Sequence, residues 1–197
     1  MNFAVYITSW IWLALEVSLR VRDRITRRGS TSRDGATRRT IMLMIVPAIL
    51  AATAVSYLVP AGSPLRLAGA GANAGSVTWP VVAGLAVMWL GLAIRTWAIV
   101  VLGRSFRTTV EIDADQPVVA RGPYRWVRHP AYTGVLLLAA GYGLAMGNWL
   151  SLLITVTVPA VAMLRRIGVE ETALVETLGR PYEVYRTRTK RLVPGLW

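Results

Sequence analysis

The residue types able to do chemistry in this 197-residue chain gather in three places. One is the segment Arg128-His129-Pro130-Ala131-Tyr132; the second is Arg166 with Glu170 and Glu171; the third is Arg95, alone in a long apolar run. The chain has one His and no Cys. Thiolate nucleophiles, disulfides and Cys-based or multi-His metal sites are therefore excluded. Any reaction here must use Arg, Tyr, Asp, Glu, a single imidazole and the backbone. Proline favours the first position of a helix, so His129 should stand at a helix start. Free N–H groups and the positive dipole end at such a start favour a carboxylate or phosphate. Tyr132 lies one short turn further in. Tyr, Trp, Arg and His also enrich where a helix meets the membrane surface. Residue types alone fit an interfacial belt and a binding site equally well.

The second place lies on a helix with a readable face. Leu164, Ile167, Leu174 and Leu178 recur at helical spacing and form one apolar stripe, and Glu171 falls on that stripe. A carboxylate turned toward a buried face requires a partner. Arg166 and Glu170 are i, i+4 neighbours on the adjacent face, which fits either a surface ion pair worth about 0.3–0.5 kcal/mol or part of a polar cluster facing His129. Gly179-Arg180-Pro181 should end the helix. Arg95 is a functional-site hypothesis by virtue of its apolar surroundings. It reads first as a snorkelling or ion-paired residue and second as a ligand contact. Glu16 has the same standing, snorkelling or paired with a nearby Arg.

The elements that must position these residues are membrane helices. The chain is 54% hydrophobic and only 16% charged, against about 25% charged in a soluble domain. Five stretches approach the ~20 apolar residues needed to cross a bilayer: Phe3–Leu19, Ile41–Val59, Val77–Leu102, Ala131–Met146 and Trp149–Leu164. Pro47 and Pro159 are expected to kink the second and fifth. Gly147-Asn148 is a turn signal, so the last two spans should form a tight hairpin with slightly short arms. The expected fold is all-α: a polytopic membrane helix bundle of about five transmembrane helices plus a cytoplasmic C-terminal helix.

Charge placement orients the bundle. Of the 22 basic residues, the loop Arg20–Arg39 holds eight, the loop Arg104–Arg128 five and the tail Arg165–Arg191 seven. With five spans these segments share one side, which the positive-inside rule makes the cytoplasm. The chain is expected in an inner or plasma membrane, N-terminus outside and C-terminus inside. The +12 formal charge then reflects orientation and contact with anionic membrane lipids, with no nucleic-acid partner. Two regions differ in content. Residues 1–75 read as a two-span membrane region with an Arg-rich cytoplasmic loop, and residues 76–197 carry the chemistry-bearing groups.

From Gly103 to Pro194 these residues, in this order, resemble the isoprenylcysteine carboxyl methyltransferase family and its bacterial relatives. The matching parts are Gly103-x-Ser105-Phe106; Gly122-Pro123-Tyr124-Arg125-x-x-Arg128-His129-Pro130-x-Tyr132-x-Gly134; a helical hairpin; Arg166 with Glu170-Glu171; and Gly179-x-x-Tyr182-x-x-Tyr185 before Pro194. The resemblance implies that residues 76–197 form a membrane methyltransferase core with a cytoplasmic pocket for S-adenosylmethionine, released as S-adenosylhomocysteine. By position, its cofactor contacts fall on Gln116, Pro117, Val118, Val119, Tyr124, His129, Pro130, Ala131, Tyr132 and Glu170. The catalytic, substrate-orienting arginine falls on Arg166. Family members often carry His where this chain has Gln116, and periodicity turns Glu171 inward at least as well as Glu170. The implied reaction is methyl transfer to a membrane-associated acceptor, a carboxylate of a prenylated or lipidic small molecule. Relatives that methylate amines or thiols leave the acceptor atom open, and the oligomeric state is open too. Two other classes remain. Membrane sterol reductases that bind NADPH share an R-H-P-x-Y segment, but they place Asn before the Tyr and an acidic residue three positions after it; Ala131 and Val135 stand there. A non-enzymatic scaffold or transporter subunit would have no reason to gather His129, Tyr132, Arg166 and Glu170 on one side.

Overall fold

A computed structural model describes residues 3–26, 35–70, 78–106 and 116–195, without the side chains of 23, 24, 26, 35–43 and 104. The middle of the Arg-rich loop, 27–34, and the stretch 107–115 lie outside the described residues. The described chain is helical: α1 Phe3–Thr26, α2 Gly35–Leu58, α3 Trp79–Leu102, α4 Pro130–Ala145, α5 Trp149–Leu178 and α6 Arg180–Arg188. Short 3-10 turns cover Gly103–Ser105 and Gly122–Arg125. Three segments are long and apolar enough to cross a bilayer: Phe3–Arg22, Trp79–Leu102 and Trp149–Leu178. Met44–Leu58 and Pro130–Ala145 are shorter apolar helices. All five expected spans thus coincide with helices.

The expected end of the fifth span needs correction. α5 does not stop near Leu164; it runs for 30 residues through Pro159 to Leu178. A proline inside a membrane helix is tolerated because neighbouring groups re-satisfy the freed carbonyl, and strong helix formers follow it. The expected cytoplasmic helix is therefore the far end of α5 itself. At 1.5 Å per residue the helix is about 45 Å long, against a hydrocarbon core of about 30 Å. Glu170 and Glu171 thus project beyond the membrane interior. The chain breaks where expected, at Gly179, whose φ of +58° is a left-handed conformation suited to glycine. It then restarts as α6, an element absent from the sequence reading.

α3 and α4 pack closest. A Cβ built on Gly84 would lie 2.5 Å from the Gly141 carbonyl oxygen, and one on Gly91 would lie 2.6 Å from that of Gly134. Each pair sits two helical turns from the other, so the antiparallel helices touch backbone to backbone along one seam. In a bilayer, where apolar side chains gain little by meeting each other, such small-residue seams are a main source of helix association. α1 joins the same bundle: Val5 lies in one buried cluster with Met88, Leu92, Leu138 and Tyr142. α2 contributes Ile45 to a cluster with Val135, Ala162 and Met163.

At one end of the bundle the loop after α2 closes over the α4–α5 turn. Arg66 donates to the carbonyls of Ser56, Val59 and Pro60 and so satisfies the last turn of α2. Buried Asn148 caps α5 by accepting from the Ser151 amide at 2.7 Å. The candidate chemistry lies at the other end.

Candidate functional site

The site is built on the start of α4. Gly122, at φ +57°, opens a turn through Tyr124; a Cβ there would press within 2.9 Å of Val101. The chain then bridges to Lys190 at Val127 and enters α4 at Pro130. Alongside it lies the segment after α6. The Arg128 amide donates to Lys190 O at 2.7 Å, the His129 amide to Arg191 O at 3.0 Å and the Lys190 amide to Trp126 O at 3.2 Å. Thr133 Oγ1 donates to Leu192 O at 2.8 Å. Residues 189–192 therefore form a strap along the His129 segment. No local pattern marks this pairing, because its partners are about sixty residues apart.

Glu171 joins strap, loop and helix. Its side chain is buried, as the apolar stripe requires. Oε1 accepts from Arg128 Nε at 2.8 Å and lies 3.3 Å from His129 Nε2; Oε2 accepts from Arg191 Nε at 3.1 Å. Arg128 also donates through Nη1 to the carbonyls of Arg186 and Thr189. Burial by itself would raise the pKa of this carboxyl. The His129 and Arg128 hydrogen bonds and charges outweigh it and hold the group at about 2. Glu171 is thus an ionised, fully engaged hub.

Glu170 has different company. Tyr132 Oη donates to Glu170 Oε2 at 2.7 Å and accepts from Arg166 Nε at 2.7 Å. Arg166 is buried and Glu170 half-buried. Of the two expectations for Arg166 and Glu170, the polar cluster is the one realised: a tyrosine hydroxyl from α4 bridges them, and His129 stacks on Tyr132 with ring centroids 5.6 Å apart.

The remaining expected residues divide. Tyr124 and Ala131 are buried in one cluster with Leu19, Ala98, Ile99 and Phe106, and Val119 packs against it. Tyr185 Oη ties α6 to this group by donating to Tyr124 O at 2.7 Å. Gln116, Pro117 and Val118 lead into Val119 without regular secondary structure. Among the described residues Gln116 makes no side-chain hydrogen bond, and Pro117 is exposed. Sequence reasoning missed the roles of Arg128, Arg191 and Tyr182. Tyr182 is 3% exposed, and its hydroxyl has no hydrogen-bond partner among the described residues. Burial, with Glu171 nearby, pushes that phenol up. A buried hydroxyl without a partner costs about 1–3 kcal/mol.

Residues 83–176 match the family described as "Isoprenylcysteine carboxyl methyltransferase (ICMT) family". The likeness to that family lies within residues 83–176, a little under half of this chain. The family segment runs from α3 into the end of α5. It includes the glycine seam, Arg95, His129–Tyr132, Arg166 and both glutamates, while α6 and the strap follow it. The chain is 35% identical over 112 residues to the protein-S-isoprenylcysteine O-methyltransferase of Schizosaccharomyces pombe, covering 56% of this chain and 48% of that one. It is 34% identical over 113 residues to a probable protein-S-isoprenylcysteine O-methyltransferase of Oryza sativa subsp. indica, covering 56% and 59%. Among solved structures, the eukaryotic intramembrane Ras methyltransferase ICMT superposes with a TM-score of 0.61 at 25% identity, over 79% of this chain and 52% of that chain. The chain thus spans about half the length of the ICMT-family relatives it matches. Its apolar helices and this fold make it an integral membrane protein.

Proposed function

We propose that this chain is an S-adenosylmethionine-dependent methyltransferase acting at the membrane surface on a carboxylate of a prenylated or otherwise lipidic acceptor. The observation that carries it is the Arg166–Tyr132–Glu170 chain. One hydroxyl ties a cation suited to an acceptor carboxylate to an anion suited to a methyl donor's ammonium or ribose hydroxyls. The polar residues present fit such a donor: among the described residues neither the Tyr182 hydroxyl nor the Gln116 amide makes a hydrogen bond. Gln116–Val119, Tyr124, His129–Tyr132 and Glu170 would hold S-adenosylmethionine, and Arg166 would hold the acceptor.

The donor supplies an electrophilic methyl group on a sulfonium. The acceptor carboxylate is ionised near neutral pH, since its intrinsic pKa is about 4. No general base is needed, and the protein's task is to hold the two partners in line. His129, engaged with Glu171 on one side and stacked on Tyr132 on the other, serves to hold the segment. The end of the bundle bearing α6 faces the cytoplasm, by the charge asymmetry of the loops.

Calorimetry on the purified protein tests this. Micromolar binding of S-adenosylmethionine and none of NADPH is expected; the reverse would hand the fold to reductase chemistry. Methyl transfer from labelled donor into a lipid extract should fall at least tenfold in Arg166→Ala with donor affinity nearly intact, and unchanged turnover would remove Arg166 from the acceptor. Tyr182→Phe gives a separate check with two opposite signs. Losing an unsatisfied hydroxyl should raise the melting temperature of the ligand-free protein by a few degrees, in line with the ~1–3 kcal/mol such a group costs. Donor affinity should drop several-fold. Unchanged donor affinity would show that the hydroxyl does not meet the cofactor.

A further inference from the structure

Arg95 lies at the meeting point of three helices. Its Nε is 2.5 Å from Glu16 Oε1 on α1, and its Nη1 donates to Ala131 O on α4 at 3.1 Å. Both charged side chains are about 8% exposed. Their burial agrees with the expectation of an internal ion pair. Gly134 explains how Arg95 comes to face the first turn of α4: a Cβ there would lie 2.8 Å from Arg95 Cβ and 2.9 Å from its amide nitrogen. α4 therefore rests directly on the Arg95 backbone, and the side chain reaches Ala131 one turn earlier.

A buried ion pair is a poor way to hold helices together. Its desolvation cost is high enough that a well-packed apolar pair of similar volume is often as stable or more so. What an apolar pair cannot do is donate a hydrogen bond to a carbonyl. Arg95 delivers that bond to the residue between Pro130 and Tyr132, inside the segment assigned above to the methyl donor. Glu16 holds the guanidinium aimed at that carbonyl.

We infer that Arg95, held by Glu16, is a positioning residue: through the Ala131 carbonyl it fixes the first turn of α4, and with it the places of His129 and Tyr132. The inference makes α1 a functional part of the site. It rests on the reading of His129–Tyr132 as the donor segment only for its effect on binding, not for its effect on the segment's order.

The test uses the full-length protein in detergent with three variants. Arg95→Met and Glu16→Met alone each leave one buried charge unpaired, and each should lower the melting temperature sharply. The double variant should regain most of that stability. It should still bind S-adenosylmethionine about tenfold more weakly, and amide hydrogen exchange across 129–135 in the ligand-free protein should be at least several-fold faster than in the parent. A double variant with parental affinity and parental exchange would overturn the inference, leaving the pair merely structural. If the double variant does not fold, Arg95→Lys decides. One ammonium lacks the fork needed to serve Glu16 and Ala131 together, so faster exchange at 129–135 is expected and unchanged exchange would overturn. Parent protein that fails to bind S-adenosylmethionine would sink the methyltransferase reading, whereas the exchange measurement decides the positioning role without the donor.

Discussion

Gly91→Val is expected to yield no monodisperse folded protein. The first added carbon would lie 2.6 Å from Gly134 O and 2.8 Å from the Leu138 amide nitrogen. Both are backbone atoms of α4, so no rotamer change relieves the clash. α3 and α4 must separate along the whole seam. Overpacking a core typically costs about 1–3 kcal/mol; a backbone-to-backbone seam should exceed that range. Gly168→Ala is the matched control. Gly168 is also helical, but nothing lies within 4 Å of a Cβ there. Replacing it should be neutral or stabilising by up to about 1 kcal/mol, the usual helical penalty of glycine. Size-exclusion profiles and melting curves of both variants in detergent give the comparison. A well-behaved Gly91→Val protein would mean that α3 and α4 do not meet as described. Damage at the seam should reach the site as well, since Gly134 is one turn from Ala131.

The neighbouring glutamates should part company completely on substitution. Glu171→Ala removes the common partner of Arg128, His129 and Arg191. Stranding buried charges in this way costs about 3–5 kcal/mol. The strap at residues 189–192 loses its anchor, and a large fall in melting temperature with loss of donor binding is expected. Among the described residues, Glu170→Ala removes only the acceptor of the Tyr132 hydroxyl. The fold should survive with a melting temperature near the parent's, while donor affinity drops at least tenfold. Equal melting temperatures for the two variants would refute the division of labour.

The same hub sets an acid limit. The hydrogen bonds and charges of His129 and Arg128 hold the Glu171 pKa at about 2, below its usual 4.5. A depressed carboxylate binds fewer protons when folded, so its contribution to stability is complete above about pH 4.5 and is lost as pH falls toward 2. Melting temperature should therefore decline through that window. Glu171→Gln should start lower and decline less steeply, because the titrating group is gone.

Much of this arrangement is legible in the chain itself. The excess of apolar over charged residues demands a bilayer, and the runs of apolar residues locate five helices. Gly147-Asn148 marks the α4–α5 turn, and Asn148 serves there as the helix cap. Helical periodicity places Glu171 on the buried face and Glu170 beside it, and both positions agree with the structure. The order of motifs around His129 and Arg166 points to the methyltransferase family. These features depend on residues within one or two helical turns of each other, or on partition between water and lipid. Both can be evaluated residue by residue.

Other features depend on which faces meet. Pro159 looks like an interruption, yet α5 continues through it. The strap pairs residues 189–192 with residues 126–133 through main-chain groups, which carry no residue-type signature. Glycines at 84, 91, 134 and 141 are ordinary in a membrane helix until α3 and α4 are laid antiparallel. Arg95 stands alone in its apolar run, and its partner Glu16 is 79 positions away on α1. The sequence by itself determined the membrane class, the helices and the identity of the chemical groups. Only the tertiary structure decided which charge answers which, because a buried charge chooses its partner by the packing of every helix around it.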